Sequence, residues 1–180
     1  MPRALLDTIV LVLGSAAASW AVAQTAPPIK PGLWELVSQR EVDGQQTADP
    51  SDEVKKMRPE ARKHFEAAMR EKGMDVAGGP VKMCMSREVL DQGQWQGQQS
   101  GCKTEFTSRT STNWKWRTLC AKPPMTGEGE AVFTSPEAYT VMSTMKSTIN
   151  GQTRTTRTTA QGKWLGADCG SLPPMKVPGK

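Results

Sequence analysis

The sequence predicts a mainly β domain: an antiparallel meander of about seven strands, curled into an open or closed barrel, with one helical excursion between the first two strands. Three observations carry this expectation. Short stretches with period-two alternation recur from Leu33 to Trp164. Turn signals separate them, the clearest being Asn150-Gly151, a two-residue type I′ turn. One stretch, residues 51–73, is instead rich in helix formers and charge.

The chain opens with Arg3, an apolar run from Ile9 to Leu13, small residues and an Ala21-Val22-Ala23 site. This is the layout of a secretory signal peptide, residues 1–23, removed before Gln24. Asp7 is its one irregularity. The apolar part is too short to span a bilayer, so a transmembrane anchor is the weaker reading. The site has no cysteine, so no lipid anchor is expected there. The mature chain of about 157 residues fits a single domain, residues 24–170, and a proline-rich tail, residues 171–180, reads as flexible. No later stretch is apolar enough to cross a membrane. The expected location is the periplasm.

The elements follow in order. "TAPPIKPG" is a proline-bearing lead-in. "LWELVSQREV" alternates, with Trp34 and Leu36 on one face and Glu35 and Gln39 on the other, although the pattern degrades toward its end. Asp43-Gly44 breaks it. In the helical excursion Ser51 or Asp52 can cap the start, Pro59 kinks or restarts the helix, and Gly73 stops it. Phe65 and Met69, joined by Ala61 and Ala68, form an apolar stripe suited to packing on the sheet. "PVKMCMS" is a short strand, and "SREVLDQG" fits a single helical turn. "CKTEFTSRTSTNWKWRTLC" is a hairpin. A three-residue turn at Thr110–Thr112 sets Phe106 opposite Trp116, with Lys115 and Arg117 on the other face. "TGEGEAVFTS" and "AYTVMSTMKSTI" pair around Ser135-Pro136-Glu137, and "QTRTTRTTAQGKW" returns after Asn150-Gly151.

The formal net charge is +5 and the pI about 9.1. Arg3 and Asp7 cancel, so the mature chain keeps that charge. A basic balance suits an anionic surface such as lipid headgroups. The basic residues are scattered, however, and form no block, which with export argues against nucleic acid. Hydrophobic residues make up 37% of the chain, a modest core that covalent staples would help.

Several stretches in this order resemble an exported bacterial family, domain of unknown function 3617. They are Pro31-Gly32-Leu33-Trp34-Glu35, Cys84 in a short strand, Cys102, "NWKWRTLC", "TGEGE" and "GKWLGADCG". The helical excursion is similar too. The resemblance covers most of the mature chain and implies export and a general fold. It supplies no activity and no site residues. The longer proline tail departs from the family.

Four cysteines, Cys84, Cys102, Cys120 and Cys169, point to two disulfides in an oxidising compartment. The favoured pairs are Cys84 with Cys102 and Cys120 with Cys169, each closure adding roughly 3 kcal/mol. The rival is Cys102 with Cys120, which the three-residue turn sets directly opposite; bonds between opposed strand residues are often strained. No close ligand pair such as C-x-x-C suggests zinc, and neither a phosphate loop nor a dinucleotide fingerprint is present. No cofactor is expected. The single histidine, His64, lies in the charged helix and reads as solvated. Glu128 and Glu130 share a strand face, but adjacent carboxylates on one strand read as an exposed edge, not an acid–base pair. No catalytic residue is assigned and no enzyme is expected.

What remains is binding. Met83, Met85, Trp95, Trp114, Trp116, Met142, Met145 and Trp164 fall in the β region. Were one face to form an apolar concavity with Phe65 on a lid, it would take a lipid or another hydrophobic ligand, with Trp114, Trp116, Met142, Met145 and Phe65 as lining. The competing reading is a filled core. Thioether binding of Cu(I) ranks lower. "TRTTRTT" puts Arg154 and Thr156 on one face and Thr155, Arg157 and Thr159 on the other, either for an anionic headgroup or as a solvated strand. The leading expectation is a non-enzymatic envelope binder of a hydrophobic or amphiphilic ligand. The alternative is a module for an envelope protein partner.

Overall fold

A computed structural model describes residues 26–48, 50–77, 79–91, 101–149 and 151–175. Residues 1–23 and Trp95 lie outside them. The strands are β1 (Gly32–Val42), β2 (Gln45–Gln46), β3 (Met74–Asp75), β4 (Val81–Met85), β5 (Cys102–Arg109), β6 (Asn113–Cys120), β7 (Met125–Ser135), β8 (Ala138–Ile149) and β9 (Gln152–Gly166). The helices are α1 (Pro50–Lys56), α2 (Pro59–Glu71) and α3 (Arg87–Asp91). All strands join one antiparallel sheet in the order β3-β4-β1-β9-β8-β7-β6-β5, with β2 beside β1. The sheet is mainly β, antiparallel and not closed. Five of its seven longer strands, β5 to β9, run as the expected meander, while β1 lies between β9 and β4 and β4 does not pair with β5; β2 and β3 are two-residue additions.

The turns set the registers. In the β5–β6 hairpin Phe106 faces Trp116 as expected, but the route differs. A register shift at Thr107 is offset at the turn, where Arg109 faces Trp114 with four residues between them and Thr110 N–H donates to the Asn113 carbonyl at 2.8 Å. The Thr110 hydroxyl accepts from Asn113 N–H at 2.9 Å, the local bonding that favours threonine in turns. Pro136-Glu137 link β7 and β8, where Ser135 faces Ala138. Ile149 faces Gln152 across the next turn, with Gly151 at φ 76°.

The helical excursion is broken where Pro59 predicts. α1 ends at Lys56 and α2 begins at Pro59, whose missing N–H costs nothing in the first turn. Gly73 ends the excursion at φ 82°, and a Cβ there would run into the Met175 backbone. Phe65 and Met69 are half-buried, His64 is exposed, and Ala61 and Ala68 are exposed. Ser86 Oγ accepts from Val89 N–H at 3.2 Å and caps α3, which buries Val89 and Leu90.

The core lies on one face of the sheet. Trp34, Met83, Met85, Trp114, Trp116, Ala131, Phe133 and Tyr139 form it, with Ile29 from the lead-in and Val89 and Leu90 from α3. Phe133 meets Trp114 edge-on at 5.7 Å, and Tyr139 lies 5.1 Å from Trp34, geometries favoured by the ring quadrupole. Glycines let large side chains lie across the strands: a Cβ at Gly129 would strike the Trp116 indole, and one at Gly162 the Tyr139 ring. Buried indoles find acceptors in the lead-in and the hairpin turn. Trp34 Nε1 donates to the Lys30 carbonyl and Trp114 Nε1 to that of Thr110, each at 3.0 Å.

Burial pushes the phenol of Tyr139, the chain's one tyrosine, well above its usual value. The native state thus keeps the proton that the unfolded chain releases near pH 10. This contribution to stability is complete below that pH and is lost as the pH rises above it. Tyrosinate absorbance near 295 nm has a single source, and it is expected to appear only with alkaline unfolding. A reversible transition near pH 10 in the folded protein would contradict the burial.

The disulfides are Cys84–Cys169 and Cys102–Cys120, which corrects the favoured pairing of Cys84 with Cys102 and Cys120 with Cys169. The registers give the reason. Cys120 lies in the row Cys102–Cys120–Met125–Ser147–Arg154. Cys84 faces Leu33, whose other neighbour is Gly166, just before Cys169. From Arg154 to Gly166, β9 runs roughly 40 Å at about 3.3 Å per residue. Both favoured pairs would have had to span the sheet end to end.

The tail also differs from its expectation as flexible from residue 171. Residues up to Met175 form a strap over β4. Leu172 is buried, Met175 N–H donates to the Cys84 carbonyl at 2.8 Å, and Arg70 Nη2 donates to Ser171 Oγ at 2.7 Å. The strap supplies the apolar side chains of Leu172 and Met175 at the end of the core. Residues 176–180 lie outside the described residues. Among the described residues no helix is long and apolar enough to cross a membrane.

Candidate functional site

The registers assign every strand residue to one of two faces. The inner face carries the core. On β8, β9 and β1 it runs through the rows Tyr139–Gly162–Leu36, Val141–Ala160–Ser38, Ser143–Thr158–Arg40 and Met145–Thr156–Val42, with Ser147–Arg154 beyond. The first row is core and Val141 packs against it. Every side chain of the later rows is half-buried or exposed. This half of the inner face is therefore open, and it is amphiphilic. Val42, Val141, Met145 and Ala160 give apolar surface; Ser38, Ser143, Ser147, Thr156 and Thr158 give hydroxyls; Arg40 and Arg154 are exposed.

The outer face holds a shallow trough of about 450 Å³. Its long side chains come from two rows, Lys115–Glu130–Met142–Thr159 and Arg117–Glu128–Thr144–Arg157. Between them Trp116, Gly129, Ser143 and Thr158 point to the inner face and leave main chain as the floor. Lys115 Nζ lies 3.7 Å from Glu130, which also accepts from Asn113 Nδ2. Arg157 donates to Glu41 at 3.0 Å, and Arg117 sits in register between Glu105 and Glu128. Each charge thus faces an opposite one on a neighbouring strand. Such exposed pairs are worth about 0–1 kcal/mol each and leave the trough with little net field.

Of the residues expected to line a ligand site, Trp114 and Trp116 are in the core. Met145 lies on the same face further along, against Gly127. Met142 is on the outer face and 43% exposed. Phe65 is half-buried on α2, a helix that meets the sheet at β3 and β4 through Gly73, whose carbonyl accepts from Cys84 N–H. Trp114, Trp116 and Met145 are therefore brought to one face, and Met142 is not. Met83 and Met85 are buried on β4, away from both Met142 and Met145. Glu128 and Glu130 share the outer face as expected, among cations. Arg154 with Thr156 and Arg157 with Thr159 fall on opposite faces, as the alternation requires.

Three features escaped the sequence reading. Ser38, Arg40 and Val42 complete the open half of the inner face, but the alternation of β1 fades there. Ile29 is core, although its lead-in has no strand pattern. Arg109 stacks on Phe106 and Trp114, its guanidinium 3.9 and 4.8 Å from the ring centroids. Alternation from Phe106 puts Arg109 on the other face, and it is the bulge at Thr107 that turns it over the rings, so no signal in the sequence marked it.

The span that builds these faces, from the core residue Ile29 to the strap cysteine Cys169, is the span matched by a family model described as a protein of unknown function, DUF3617, residues 29–169. The chain belongs to the DUF3617 family. A relative from Pseudomonas putida, an uncharacterized protein in the lpd-3 5′ region, is 33% identical over 121 residues, 64% of this chain and 84% of the relative. No solved structure matches this DUF3617 chain.

Proposed function

We propose that this DUF3617 protein is a non-enzymatic binding protein of the cell envelope that holds a hydrophobic or amphiphilic ligand on the open half of its inner face. One observation carries the reading: the apolar face of the sheet is longer than the plug that covers it. Ile29, α3 and the strap contribute to the core at one end. From Ser143–Thr158–Arg40 onward the same face stays uncovered among the described residues, and it mixes hydroxyls and Arg40 with Met145 and Val42 before ending at Ser147 and Arg154. An acyl or other apolar body would lie along Val141, Ala160 and Met145, with polar groups toward Ser147 and Arg154. Two disulfides suit an oxidising compartment, which supports export to the periplasm by residues 1–23.

Native mass spectrometry of protein purified from cells expressing the full chain tests this. The expected result is a chain starting at Gln24 with a noncovalent adduct of lipid size that extracts into organic solvent. A chain that is bare at every collision energy, and takes up no lysophospholipid or fatty acid when these are added, would overturn the reading.

A further inference from the structure

The positive charge of the chain is not spread evenly over the fold. At the end of the sheet marked by Cys102–Cys120 lie the β6–β7 turn, the β8–β9 turn and the β1–β2 turn. Lys103, Lys122, Lys146 and Arg154 all sit there and all are exposed. Among the described residues none of the four makes an ion pair. Of the nearby carboxylates, Asp43 Oδ1 accepts from Thr155 N–H at 2.8 Å, Glu41 holds Arg157, and Glu105 and Glu128 flank Arg117 in register. At the other end Lys30 pairs with Glu137 at 2.5 Å, and Glu35 lies in register between Lys82 and Lys163. The basic end also carries Leu119, 62% exposed and cross-strand from Lys103, and the exposed Pro123 and Pro124.

From this juxtaposition we infer that the turn end of the sheet is a docking surface for an anionic membrane. Unmatched cations attract headgroup phosphates over about a Debye length. The bare leucine, with the exposed prolines of the β6–β7 turn between the cations, suits shallow burial in the headgroup region. The trough on the outer face, by contrast, is self-neutralised and would not compete. Arg154 belongs both to this end and to the last row of the open inner face, so a docked chain would present that face at the bilayer surface. The docking itself does not depend on the inner face carrying a ligand.

Vesicle flotation tests the inference with protein purified from cells expressing the full chain. The vesicles are phosphatidylglycerol–phosphatidylethanolamine or pure phosphatidylcholine, at about 100 mM salt. The wild type is expected to float with the anionic vesicles only, less so as salt rises. Each basic residue near a bilayer contributes about fivefold, so the variant K103Q/K122Q/K146Q/R154Q should lose about six-hundredfold in partitioning. A charge-matched control, R58Q/K63Q/K72Q/K82Q, removes four exposed cations away from the turn end and should lose less than tenfold. Leu119→Ser should weaken partitioning several-fold with an unchanged salt slope. Melting curves confirm that the variants fold. Equal losses in rim and control variants, flotation with neutral vesicles as strong as with anionic ones, or no flotation of the wild type would each overturn the assignment.

Discussion

Replacing both Cys84 and Cys169 by serine is expected to lower the stability of the chain by about 4.5 kcal/mol, the chain-entropy value for an 85-residue separation. The same change at Cys102 and Cys120, 18 residues apart, is expected to lower it by about 3 kcal/mol. The order of the two follows from the fold. Cys102 and Cys120 already face each other in a hairpin whose ladder persists without the bond. Cys84–Cys169 instead ties the strap to β4, and the strap's remaining ties are few: Met175 N–H to the Cys84 carbonyl, Arg70 to Ser171, and the burial of Leu172. Urea denaturation of the two double variants checks the ranking. A larger loss from the hairpin pair would mean that the strap is not a structural closure. A nonreducing peptide map should contain a fragment joining Cys84 to Cys169.

Trp34→Ala is expected to cost about 3–5 kcal/mol, the range for deleting a large core aromatic. The side chain is fully buried, stacks near Tyr139 and donates to the Lys30 carbonyl. It also faces both Met83 on β4 and Trp164 on β9, so its loss opens a cavity where three strands and the lead-in meet. Denaturant midpoints at constant m measure the effect. A loss under about 1 kcal/mol would show that the strap and lead-in collapse into the space or that the aromatic plug is not the centre of the core.

Much of this architecture was legible before any coordinates. Alternation in Leu33–Leu36, the glycine at position 151 and the proline at position 59 are local signals, and local geometry obeyed them; Asn150 lies outside the described residues. The pairing of Phe106 with Trp116 was legible too, although through a bulge at Thr107 and a longer turn. The disulfides were not, because pairing depends on which ends of the strands adjoin, and that is fixed by the position of β1 between β4 and β9. The strap was misread because proline and glycine content speaks for loops, while Leu172 and Met175 are only two apolar residues with no period. For the candidate site, parity alone separates Met142 from Met145, three residues apart on one strand. The open half of the inner face was harder to see, since Ser38, Arg40 and Val42 sit where polar residues occur on both faces.

That same parity supplies the most direct test of the proposed ligand surface. Met145→Asp puts a carboxylate in the middle of the open inner face; Met142→Asp puts one on the outer face of the same strand. Native mass spectra of the two variants, purified in parallel with the wild type, report the adduct. The reading predicts that Met145→Asp loses the amphiphile at least tenfold while Met142→Asp keeps it. An adduct that survives Met145→Asp and disappears with Met142→Asp would place the ligand in the outer trough and contradict the account.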